Sequence, residues 1–245
     1  MPNAYTLITG ASSGIGEAVC RRLGPERPLI LNGRSTERLA NVLEASTAGI
    51  PHLSWPFDLR DVTAIGDSLA AFLKENDAKV NSFVHCAGVV KVLPMRDMDA
   101  ETVAEVMNVN CLSAVQITRI LLRRLVNQGQ LSNVVFLSST YSIRGTKGQA
   151  IYSASKGAVD AMMRSLAVEL APDVRVNSII AGGVPTNMAH SVFHDPELLE
   201  KSRGQYLLRL GEVEDVVNAV EFLLSEKASW ITGSSLVVDG GMTVR

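Results

Sequence analysis

Seven short runs of apolar, β-favouring residues punctuate this chain: "AYTLIT", "PLILN", "HLSWPF", "VNSFVH", "NVVFLS", "VRVNSII" and "SSLVVD". Most are apolar continuously rather than at every second position, the pattern of strands buried on both faces of a parallel sheet. Helix-patterned stretches separate them, at roughly 15–23, 37–44, 62–74, 100–126 and 151–170. Strand, helix, strand repeated in this way demands right-handed crossovers. The expected fold is therefore α/β: a single-domain, Rossmann-type, doubly wound parallel sheet of about seven strands over residues 1–245. Composition agrees, with 47% hydrophobic and 20% charged residues in 245, enough for a sizeable core.

The net charge of −2 gives no electrostatic reason to expect nucleic acid or an acidic membrane as partner. The opening "MPNAYTLITG" lacks the pattern of a signal peptide, and no apolar run approaches the ~20 residues a membrane span needs. Cys20, Cys86 and Cys111 are odd in number and lack metal-type spacing, which suits a reducing compartment. The expectation is a cytoplasmic protein.

After the first run comes "TGASSGIG", opening directly into a helix. Gly10, Gly14 and Gly16 permit a tight turn and close approach of backbone to a pyrophosphate. Together with Ser12, Ser13 and Ile15 they offer backbone N–H groups at the positive end of a helix. This reads as a dinucleotide site. The second strand ends "LNGRS", with no acid to bond a ribose 2′-hydroxyl. Arg34 would instead pair with a 2′-phosphate, so the expected cofactor is NADP(H), with NAD(H) second.

Tyr152 and Lys156 stand four apart in "IYSASKGAVD", on one helical face and surrounded by small residues. With the glycine loop and this length, the pair makes the chain resemble the short-chain dehydrogenase/reductase family. The likeness is strongest to the compact branch containing the 3-oxoacyl-(acyl carrier protein) reductases. It runs from Thr9 to "ITGSSLVVDGGM". The resemblance implies that Ser139, thirteen residues before Tyr152, and Asn110 in "MNVNCLS" complete a catalytic tetrad. It implies an adenine contact by Asp58 with Leu59. Cys86, Ala87 and Gly88 would pass the adenosine ribose, and Val184 and Thr186 would stand near the nicotinamide amide. Two positions depart from the family: its Asn-Asn-Ala-Gly reads His85-Cys86-Ala87-Gly88, and its Pro-Gly reads Ala181-Gly182.

Reducing a ketone needs a proton as well as a hydride. A phenol with a reference pKa near ~10 is a poor acid–base group at neutral pH. The Lys156 ammonium one turn away, together with the positive nicotinamide of the oxidised cofactor, is expected to lower that value and let Tyr152 give or take the proton. Ser139 would hold the substrate oxygen. By resemblance, Lys156 also holds ribose hydroxyls and Asn110 holds a water leading from Lys156 to solvent.

The resulting expectation is an NADP(H)-dependent reductase of a ketone, in the first place a 3-oxoacyl thioester. A dehydrogenase of a sugar, polyol or other small alcohol is the second reading. A regulatory protein that binds NADP without turnover is the third, and the complete tetrad argues against it. Acyl carrier protein as partner would need basic residues at the site mouth, where Arg175, Arg123 and Arg124 are the available ones. His190 and His194 lack the further ligands of a metal site, so none is expected. Cys111 is read as packing, and Phe222, Leu223 and Leu224 as core. The resemblance further implies a substrate lid at about 188–210 and a homotetramer. Tyr141, Arg144, Gln149 and Tyr206 are the polar side chains expected to face substrate.

Overall fold

A computed structural model describes residues 4–46, 49–186, 188 and 196–244. Seven strands form one sheet: β1 (Ala4–Thr9), β2 (Leu29–Gly33), β3 (Leu53–Pro56), β4 (Lys79–His85), β5 (Asn133–Ser139), β6 (Arg175–Ala181) and β7 (Ser235–Val238). Their order is β3-β2-β1-β4-β5-β6-β7 and every pairing is parallel. The order reverses between β1 and β4, so the crevice beyond their carboxyl ends is where a ligand is expected in such a sheet.

Helices cover both faces. Helices α3 (Ile65–Glu75), α5 (Ser113–Leu121) and α7 (Ala150–Leu170) pack on one face through Leu69, Ile117 and Val159. On the other lie α1 (Gly14–Leu23), α2 (Thr36–Ser46) and α9 (Val213–Leu224), through Val19, Leu39 and Val220. Neighbouring strand residues feed opposite cores: Leu7 and Phe83 join the first, Ile8 and Val84 the second. That is why the strand runs are apolar throughout. Phe83 and Phe136 meet edge to face at 6.2 Å and are fully buried. Of the three residues expected in the core near the chain's end, Leu223 and Leu224 are buried, whereas Phe222 is 37% exposed.

One long helix expected over 100–126 is three pieces. Helix α4 (Ala100–Met107) runs into a π-helical turn at Asn108–Leu112, then α5, and α6 (Arg124–Asn127) follows after a break. A π turn inserts one residue into the helical register, which aims side chains in directions a regular helix cannot. Asn110 lies in it. The last described helix before α9 is α8 (Pro196–Arg203). Among the described residues, no helix is long and apolar enough to cross a membrane.

Candidate active site

At the switch point the glycine loop is held by exclusion of side chains. Gly10 has φ +66°, and a Cβ there would stand 2.9 Å from the backbone of Ala87. A Cβ on Gly16 would run into the Gly10 carbonyl. The two strand ends therefore close on each other with no side chain between them. Across the cleft, the Thr186 methyl would lie 3.3 Å from a Cβ on Gly14, so the stretch after β6 faces the loop.

A cavity of about 140 Å³ joins Gly10, Ser12, Ser13, Arg34, Asp58, Leu59, Ala87 and Gly88. Residues read from sequence as a cofactor site thus come together along β1, β2, β3 and β4. The cradle that a Cβ would fill and the N-terminus of α1 fit a pyrophosphate. Eight of the sixteen such residues line this cavity, whereas Gly14, Ile15, Gly16, Cys86, Tyr152, Lys156 and Thr186 lie outside that lining, as does Val184. Val184 is buried against Gly211 and lines a separate cavity of about 440 Å³ with Tyr206, Arg209 and Asp239, which contains none of the tetrad.

The cavity also contains residues that sequence reading missed, chiefly Arg60, Val89 and Glu105. Arg60 grips the Asp58 carboxylate at 2.6–3.1 Å, which holds that carboxyl below its ordinary value. The Arg60 carbonyl accepts from the Asn108 amide at 3.0 Å, joining the adenine side of the pocket to the π turn. An arginine two residues after an aspartate was the available signal.

The tetrad is built on three elements. Tyr152 and Lys156 project from α7, Ser139 ends β5, and Asn110 comes from the π turn. A Cβ on Gly88 would stand 3.5 Å from both the Asn110 amide oxygen and Lys156 Nζ. The Asn110 amide is fully committed: its Oδ1 accepts from Val89 N at 2.7 Å, and its Nδ2 donates to Val89 O and to Ser155 Oγ. Ser155 Oγ in turn donates to the Tyr152 carbonyl. Asn110 is therefore a brace between the loop after β4 and the catalytic helix. The water implied by resemblance would need another partner than this side-chain amide.

Burial, rather than the neighbouring ammonium, dominates the phenol. It pushes Tyr152 above its ordinary value, and Ser139 pulls it back only in part. Burial likewise pulls Lys156 down to about 8. Its Nζ donates to the Leu137 carbonyl at 2.7 Å and lies 5.9 Å from the centre of the Tyr152 ring. The expected lowering of Tyr152 by Lys156 is outweighed here by burial of the phenol itself. The phenol keeps its proton at neutral pH, which is the form that can donate.

The two departures from the family pattern have distinct settings. His85 is fully buried, its Nδ1 lies 2.9 Å from Thr9 Oγ1, and burial lowers its pKa to about 3. Ala87 N donates to the same hydroxyl, which thus links His85 to the loop after β4. Gly182 N donates to Val238 O, and a Cβ there would meet Asp239 at 2.9 Å, so this glycine keeps a packing role. The expected substrate-facing side chains divide. Tyr141 stacks edge-on against Tyr152 at 6.5 Å, but Arg144 donates to Met242 O and Tyr206 accepts from Gly183 N. Cys86 is pushed up to about 12 and Cys111 is also raised, both chiefly by burial, so neither is a thiolate nucleophile. His190 and His194 lie outside the described residues, among which no group of three or more metal-ligating side chains occurs.

The family model described as enoyl-(acyl carrier protein) reductase matches residues 10–243. Carbonyl reductase (NADPH) 2 of Sus scrofa is 34% identical, over 96% of this chain and 94% of its own. The chain is a short-chain dehydrogenase/reductase. L-xylulose reductase of Bos taurus is 30% identical over the same shares of each. A solved 4-hydroxyisoleucine dehydrogenase complexed with NADH superposes with TM-score 0.92 at 25% identity, covering 99% of this chain and all of the other. This short-chain dehydrogenase/reductase is an oxidoreductase of alcohols and ketones, and its family uses a nicotinamide cofactor.

Proposed function

We propose that this enzyme reduces a small polyhydroxylated ketone to the secondary alcohol with NADP(H). The observation that carries the reading is the likeness, over nearly the whole chain, to a carbonyl reductase and an L-xylulose reductase. Gln149 stands three residues before Tyr152, and its Oε1 is buried without a hydrogen-bond partner. A buried carbonyl left unmatched costs ~1–3 kcal/mol, and a rotation of Gln149 toward a substrate hydroxyl would relieve it. Ser142 Oγ, in the turn after Ser139, is a second such atom.

A 3-oxoacyl thioester on a carrier protein is less well supported. Arg175 begins β6, and α6 with Arg124 is tied to the start of β4 through Asn127 and Val80. Arg123, at the start of α6, sits with it. All three are at the amino ends of the strands, opposite the cleft, where they cannot meet an acidic partner at the site mouth. The likeness to a carbonyl reductase and an L-xylulose reductase also favours carbonyl and sugar substrates.

When bound, the cofactor supplies a hydride to the carbonyl carbon. Tyr152 then gives its phenolic proton to the substrate oxygen, which Ser139 orients by a hydrogen bond. Lys156 holds the ribose hydroxyls with its ammonium. Arg34, exposed at the end of β2, pairs with the 2′-phosphate. Assembly as a homotetramer follows from the family likeness alone, and light scattering on the purified protein would check it.

The test is NADPH oxidation by the purified enzyme with L-xylulose and other ketoses beside acetoacetyl-CoA, each repeated with NADH. Ketose turnover above that of the thioester is the expected result. Turnover of acetoacetyl-CoA alone would return the enzyme to the oxoacyl reading. A Gln149→Leu variant is expected to raise KM for ketoses about tenfold, the equivalent of one hydrogen bond at ~1.4 kcal/mol.

A further inference from the structure

We propose that Asn108 is a positioning residue that couples the adenine end of the cofactor cavity to the catalytic helix α7. The inference rests on the reading of that cavity as the cofactor site and adds a residue to it. Asn108 and Asn110 flank the buried Val109 in the π turn. Residues two apart on a helix point to nearly opposite sides, at ~100° per residue. Asn110 turns inward, where its Nδ2 donates to Ser155 Oγ at 3.0 Å. Ser155 Oγ donates to the Tyr152 carbonyl at 2.7 Å, so this end of the turn holds the start of α7. Asn108 turns the other way, and its Nδ2 donates to the Arg60 carbonyl at 3.0 Å.

Beyond that hydrogen bond lies the loop after β3. The Arg60 backbone N and guanidinium both hold the Asp58 carboxylate, at 2.6–3.1 Å. Asp58, Leu59 and Arg60 line the cavity, as do Glu105 and Val109. Glu105, three residues before Asn108, pairs with Lys91 Nζ at 3.1 Å. The end of α4 is therefore tied to the loops after β3 and β4, which both border the adenine end. A π turn can revert to the α register, so it has two discrete arrangements, and a two-state element is what energetic coupling needs. A ligand that draws the Asp58–Arg60 loop inward acts on Asn108, and through the turn on Asn110, Ser155 and the Tyr152 carbonyl. A second route runs through Val89, which lines the cavity and bonds Asn110 directly, and the experiment separates the two.

The probe is 2′,5′-ADP, the adenosine half of NADPH, with 5′-AMP beside it as the NADH counterpart. Neither carries a nicotinamide, and no substrate is needed, so the result is independent of the ketose reading. The readout is hydrogen–deuterium exchange at saturating probe, followed at Val89 and over residues 150–156, which line no part of this cavity. In the wild type the probe is expected to slow exchange over 150–156 about fivefold, and to protect Val89 as well. In Asn108→Ala it should still bind and still protect Val89, but leave 150–156 at the rate of the free enzyme. By reciprocity its Kd should rise by the same factor of about five. Asn108→Asp, which keeps the size and loses the donor, should behave as Asn108→Ala does. Slowing over 150–156 that survives in both variants would overturn the proposal and assign the coupling to Val89. Binding that leaves 150–156 unchanged in the wild type would overturn it too, with the cofactor reading intact. A wild type that binds neither probe would overturn the cofactor reading itself, and the coupling with it.

Discussion

The floor and the wall of this active site are built on opposite principles. The floor, from Gly10 to Gly16 against Ala87 and Gly88, is backbone packed on backbone, and what matters there is the absence of side chains. The wall, from Asn110 through Ser139 to Tyr152 and Lys156, gathers polar groups into a buried setting. Filling the floor breaks the fold, whereas emptying the wall relieves it. Binding geometry is thus supplied by regions that are stable, and chemistry by a region that costs stability.

Substitution in the floor should have the largest effect. Gly10→Val is expected to lose about 4 kcal/mol of stability, ~1–2 of it from the left-handed backbone and the rest from overlap with Ala87. Urea denaturation would measure it, and a variant as stable as the parent would break the comparison.

The wall should respond in the opposite direction. Lys156 falls from 10.5 to about 8 on folding. The unfolded chain therefore binds more protons between those values, and stability rises with pH across that window. At pH 7 the buried cation costs about 3 kcal/mol at ~1.4 kcal/mol per pH unit. Lys156→Met should abolish turnover and remove that cost, less what is lost when the buried Leu137 carbonyl is left without its donor.

His85, between the two regions, sharpens the contrast with a smaller effect. Its pKa drops from 6.5 to about 3, so the folded form resists protonation and stability falls as pH drops below 6.5. The wild type should lose about 2 kcal/mol between pH 6.5 and 4.5, a loss that His85→Asn would largely remove. Arg34 sits at the exposed rim of the floor, where screening limits its effect. Arg34→Ala should raise KM for NADPH about tenfold, or ~1.4 kcal/mol, and leave KM for NADH nearly unchanged.

The floor was legible in the sequence because glycines after a strand have few other uses. The sheet was legible because a strand buried on both faces must be apolar throughout. The wall was legible only through resemblance, since a tyrosine and a lysine four apart occur on any amphipathic helix. What escaped reading depends on register and burial. The π turn at Asn108–Leu112 carries a helical pattern on both sides, and one inserted residue leaves no compositional trace. The shift of Tyr152 was misjudged because charge is visible in sequence and desolvation is not. Arg60 escaped because its role depends on where β3 ends. The carrier-protein reading has less support because Arg123, Arg124 and Arg175 lie at the amino ends of the strands, which sequence order does not reveal.

The most direct measurement is hydride transfer under single turnover, with ketose, NADPH and either wild type or Tyr152→Phe. The phenol as proton donor predicts a rate lower by ~10³ in the variant, with NADPH binding measured by fluorescence unchanged. A variant that transfers hydride at the parent's rate would contradict the account, because the proton would then come from elsewhere in the wall.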